Sequence, residues 1–189
     1  MKEKIVGKKY NGMFLLCFLM AFLIVLIISA IPKEVKTVLL EHTNGKDIKT
    51  GISNFMGIDI SFCKVLRESD SHDNFLGDGQ TFVELQMTKE ECSKVVRNMT
   101  DKWNEFPLTE NLSRAVYGME QNLPLIIDEK KESPLIPAIK NGYYYFEDRF
   151  QDKFDPSDDS HIFERNSYNF TLVILDRDQN RIYYIKYDT

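Results

Sequence analysis

Signatures of known catalytic chemistry are missing from this chain of 189 residues. It has no G-x-S-x-G, no H-E-x-x-H and no glycine-rich phosphate loop. Three histidines and three cysteines occur, with neither a C-x-x-C nor a Cys/His spacing suited to zinc. Cys17 sits in an apolar run, so Cys63 and Cys92 either pair or act as buried thiols that pack like small hydrophobes, and the second is expected. Internal repeats and low-complexity tracts are absent as well. No cofactor and no metal is expected on these grounds.

Long apolar runs are also scarce, with one exception. Residues 13–31, MFLLCFLMAFLIVLIISAI, are nineteen consecutive uncharged residues. At about 1.5 Å per residue they cross a hydrocarbon core of about 30 Å. Lys2, Lys4, Lys8 and Lys9 precede the run with only Glu3 against them, whereas Lys33 and Lys36 behind it are offset by Glu34 and Glu41. This bias keeps the amino terminus inside and sends the rest of the chain out. A cleaved signal peptide is the rival reading, but its apolar region normally spans about 7–15 residues. This run is longer and meets Pro32 directly. The expected organisation is a cytoplasmic amino terminus at 1–12, a single-pass transmembrane anchor at 13–31, a juxtamembrane stalk at 32–57 and an extracytoplasmic domain at 58–189.

Positive charge is short outside that anchor. The chain holds 24 Lys+Arg and 29 Asp+Glu; setting aside the four lysines and one glutamate of residues 1–31 leaves 20 against 28, a net charge of −8. Nucleic acids are bound chiefly by basic residues neutralising phosphates, so they are excluded as partners. The same balance disfavours close docking on an anionic lipid surface.

What is present reads as an α+β domain. Ile58, Ile60 and Phe62 alternate with Asp59 and Ser61, a strand pattern, and TFVELQM repeats it with Val83, Leu85 and Met87 on one side. Thr88 and Glu91 form a capping box, and Cys92, Val95, Val96, Met99 and Trp103 make one apolar stripe, so a helix is expected over 88–103. TENLSRAVYG predicts a second helix, with Thr109 as N-cap and Gly118 as its stop. A long connection at 119–141 follows. YYYFEDRF is an aromatic strand, and NFTLVIL and RIYYIKY form a hairpin across DRDQN. The order is ββααβββ: one mainly antiparallel sheet of about five strands with two helices.

Two features compete as sites. FDPSDDSHIFE, residues 154–164, concentrates acidic and hydroxyl side chains around His161. Its spacing fails the EF-hand pattern, because the sixth position from Asp155 is Ser160 where a glycine is needed. It reads as a solvated acidic loop. The aromatic half of the sheet is apolar on both faces. Either the 119–141 connection or the stalk covers the second face, or Tyr143, Tyr144, Tyr145, Tyr183, Tyr184 and Tyr187 supply a docking surface for a partner or a flat ligand.

The sequence therefore points to a single-pass membrane protein displaying a small binding or accessory domain outside the cell, non-enzymatic, with a membrane or envelope protein as the expected partner. An extracytoplasmic hydrolase using acidic residues near 147–164 is the enzyme alternative. A small ligand sensor or an immunity-type inhibitor is the third.

Overall fold

The computed structural model describes residues 48–72, 77–119, 123–128, 133–150 and 155–189, together with Met20. The apolar run at 13–31 lies outside the described residues, Met20 excepted. Among the described residues no helix is long and apolar enough to cross a membrane.

The fold begins earlier than the expected residue 58. Residues 48–56 are helical (α1), and Ile52 and Met56 are buried in the core. Each such side chain contributes about 1.5–3 kcal/mol by leaving water, so this stretch belongs to the compact unit Ile48–Thr189 and not to a stalk. Gly57 ends α1 at φ +66, and the Ile58 amide donates back to the Ser53 carbonyl at 3.2 Å. That pairing is a Schellman stop, in which a left-handed residue lets the chain bond back over the last turn.

The alternation at 58–62 consequently is not a strand. Ile58 and Ile60 are buried from a looped backbone: Ser61 N–H donates to Asp59 Oδ1 and the Cys63 amide to the Ile60 carbonyl. The first strand is β1, Lys64–Asp70, followed by β2, Gly79–Gln86.

Helix α2 spans Lys89–Arg97, with both halves of the Thr88–Glu91 capping box formed. It stops six residues before the expected Trp103. The Asn98 and Met99 amides reach back only three residues, to the Val95 and Val96 carbonyls, tightening the last turn. Trp103 still enters the core, from the loop beyond. The two-residue β3, Asn104–Glu105, comes next, then α3, Glu110–Tyr117, with Thr109 as N-cap and Gly118 as C-cap, as the sequence predicts. The connection contains a small ladder between β4, Ile127–Asp128, and β5, Ser133–Pro134. Three long strands finish the chain: β6, Gly142–Asp148; β7, Asn169–Asp176; and β8, Arg181–Asp188.

The result is a mixed α+β fold whose main sheet is antiparallel with order β1-β2-β8-β7-β6-β3. Helices α1 and α2 cover one face, packing Ile52, Met56, Cys92 and Val95 on Val83, Leu85, Val173 and Ile182. The other face carries Leu112 and Val116 of α3, Ile126 and Ile136 of the connection, and Ile162, all on Phe82, Phe146, Phe170 and Leu172. Helices thus lie on both sides of the sheet, which is why its last strands are apolar on both faces.

Candidate functional site

The six tyrosines do not gather on one surface. Tyr143, Tyr145 and Tyr184 belong to the α1–α2 face, while Tyr144, Tyr183 and Tyr187 belong to the other. Tyr144, Tyr145 and Tyr183 are buried. Phe55 of α1 stacks on Tyr145 with ring centroids 4.8 Å apart and meets Tyr184 edge-on at 6.2 Å. Phe106 meets Tyr144 edge-on, and Tyr187 stacks on Phe170. Burial raises the phenol pKa of Tyr144, Tyr145, Tyr183 and Tyr184. These rings are core and cover, with Tyr187 alone of the six at the edge of a groove.

The acidic stretch is described from Asp155 onward, and its side chains are occupied in building the loop. Asp155 Oδ1 accepts from the Ser157 amide and hydroxyl, and Asp158 Oδ1 accepts from the Ser160 amide. Those amides hold both carboxyls below their ordinary range. The Thr109 hydroxyl donates to Asp159, and Asn111 Nδ2 donates to the Asp159 and Ser160 carbonyls, so the loop is moored to the start of α3. Glu164 sits 2.6 Å from His161 Nδ1, and that bond raises the histidine. Upstream, Asp148 takes a bidentate pair from Arg165 at 2.6 and 2.8 Å. More than a solvated loop, this is a strap: Ile162 at its centre is fully buried.

Two other groups of polar residues were not legible beforehand. The first lies at one end of the sheet. His72, just past β1, has Nδ1 at 2.5 Å from Asp70 Oδ1 and Nε2 at 3.1 Å from Asp188 Oδ2. Asp188 also receives Arg149 Nη2 at 2.7 Å and Lys186 Nζ at 3.1 Å. Burial alone would raise both carboxyls; hydrogen bonds from His72 to Asp70, and from Arg149 and Lys186 to Asp188, outweigh it and hold them low. The His72 ring thus lies between the end of β1 and the end of β8 and links the two strands. Gly79 makes the turn fit: a Cβ there would stand 2.7 Å from the His72 amide nitrogen.

The second is buried Glu84, whose two oxygens each meet a guanidinium at 2.6 Å, from Arg67 and Arg181. Arg67 also lies over the Phe82 ring at 4.9 Å and donates to the Leu135 carbonyl at 3.1 Å. It bridges β1 to the connection.

Between those two elements runs an open groove of about 990 Å³. Residues 66–71 form one wall; Leu125, Ile127, Asp128 and Leu135 form the other; Asp78, Gly79, Gln80, Phe82, Tyr187, Asp188 and Thr189 complete it. Its surface mixes apolar side chains with carboxylates. Cys63 and Cys92 are both free and buried elsewhere, and burial pushes the Cys63 thiol up to about 12. Comparison with protein-family models, with curated proteins and with solved structures finds no significant match to this chain.

Proposed function

We propose that this chain is a membrane-anchored binding or accessory domain, displayed outside the cell by the apolar run at 13–31, that works by contact and not by catalysis. The observation that carries the reading is the groove: a concave, open surface of mixed polarity beside an edge strand. Sites of this shape with a few polar groups at the rim are the usual places for ligands. The hydrolase alternative finds little support in the geometry. Asp148, Asp155, Asp158, Asp159 and Glu164 are each engaged with a different partner.

A photoreactive amino acid at Leu66, on the groove wall, tests the reading in intact cells. Discrete cross-linked species are expected from Leu66 and not from Lys89, which is exposed on α2 away from the groove. Externally added protease should remove the domain from the same cells. Equal cross-linking at both positions, or protection of the domain from protease, would overturn it.

A further inference from the structure

Strand β1 is the end strand of the main sheet and is exposed along nearly all of its length. Its backbone shows which groups are left over. The Ser71 amide donates to the Gln80 carbonyl at 3.1 Å, in register with the pairs Ser69–Phe82 and Arg67–Glu84. In an antiparallel ladder, bonded and non-bonded pairs alternate. The amides and carbonyls of Glu68 and Asp70 consequently point away from β2, and among the described residues no strand lies on that side. An unpaired row of this kind accepts an added strand.

The chemistry around the row is acidic. Glu68, Asp70, Asp78, Asp128 and Asp188 line the groove, and among the described residues Arg67 is its one basic lining residue. Arg67 is already committed to Glu84. Asp188 is already paired with Arg149 and Lys186, and Asp70 is hydrogen-bonded by the His72 ring. Glu68 and Asp78 are exposed and meet no cation among the described residues. Leu66, Leu125 and Leu135 add apolar surface within the same groove.

From this we infer that the groove takes an extended, cationic segment of a partner protein, which adds to the outer edge of β1 and sets lysine or arginine side chains against Glu68 and Asp78. The inference rests on the binding-domain reading and names the partner's chemistry. Main-chain bonds supply affinity without regard to sequence, and the carboxylates select basic over acidic segments. The register irregularity between Val65 and Arg67 bends the edge and discourages flat sheet-to-sheet stacking. A second copy is the weaker candidate, because two outer parts of net charge −8 repel.

The test is a titration of the full-length protein, in detergent, with labelled capped decapeptides followed by fluorescence anisotropy. One alternates lysine and valine, a second replaces lysine by glutamate, a third replaces it by serine, and a fourth is the lysine peptide with alternate amides N-methylated. The lysine peptide should bind and weaken as salt rises from about 50 to about 500 mM. The double substitution Glu68→Gln with Asp78→Asn should weaken it about tenfold, and N-methylation about fivefold or more. No binding of the lysine peptide, or binding unchanged in the double variant, overturns the inference. Binding of the glutamate or serine peptide in its place would leave the binding-domain reading standing while removing its cationic chemistry. Silence from all four, together with no cross-link at Leu66, would remove both. Sedimentation showing a dimer that the double variant dissolves would make the occupant a second copy and likewise overturn it.

Discussion

Nε2 of His72, in the turn after β1, lies 3.1 Å from Oδ2 of Asp188 at the end of β8, although 116 residues separate them. Arg149, following β6, reaches the same carboxylate. One acidic side chain thereby ties three parts of the chain at one end of the sheet, and its charge state sets whether they stay tied.

That gives a pH dependence with a definite sign. Asp70 and Asp188 titrate below the ordinary carboxylate range in the folded protein. A carboxylate lowered on folding contributes stability that is complete above its unfolded pKa, about 3.9, and is lost as pH falls through the lower folded value. Acid unfolding should therefore steepen below about pH 4. Asp188→Asn should flatten that limb and cost about 1–2 kcal/mol at neutral pH. Urea titrations between pH 3 and pH 7, on a scale set by those carboxylates, check it; an unchanged acid limb in the variant would deny the tie its role.

Helix α2 makes a test of facing. Val95 is 1% exposed and packs toward the sheet, whereas Lys89 is exposed. Val95→Asp buries a carboxylate without a partner and should cost about 3 kcal/mol or more, a large part of a small domain's stability. Lys89→Asp places an acid in the first turn and should be neutral or mildly favourable. Thermal melts that shift equally for both would reject the assignment.

Where the domain begins is testable by truncation. A fragment starting at Ile48 should fold, while one starting at Ile58 loses the burial of Ile52 and Met56, about 4 kcal/mol together. Equal urea midpoints for the two fragments would return residues 48–57 to a stalk.

The strap at 155–165 should respond unevenly to neutralisation. Asp155→Asn, Asp158→Asn and Glu164→Gln keep an acceptor oxygen at exposed positions and should lower the melting temperature only slightly. Asp159→Ala removes the anchor for the Thr109 hydroxyl and should cost about 1 kcal/mol. Millimolar calcium should give no shift. A cation held at 100 times its dissociation constant would add about 2.7 kcal/mol, and a stabilisation of that size would make the strap a metal site.

Elements with their own periodicity were legible from sequence. The capping box of α2, the Thr109 cap of α3, the β6 aromatics and the β7–β8 hairpin all stand where the pattern puts them. The misreading at 58–62 has a local cause: Ile58 is the apolar residue after a helix stop, and Phe-Met-Gly-Ile is the signal that marks one. Strand β1 was hidden for the opposite reason. KVLRESD has no apolar alternation because it is an exposed edge, and its irregularity at Leu66 breaks the period of two. The His72–Asp70–Asp188 link joins residues no spacing rule connects, so it appears only once β2 and β8 are paired.

Strand β8 sits between β2 and β7, so the strand of this sheet that is made after the others is among the innermost in space. On a ribosome the other five strands of the main sheet are made first. Until β8 emerges, the β1–β2 pair and the β6–β7 pair share no border, and each leaves an open apolar margin where β8 will enter. The nascent domain therefore cannot close its sheet stepwise; it closes when the final strand threads between two waiting hairpins. A chain stopped before Arg181 would carry both margins exposed, a species for chaperones and proteases to find.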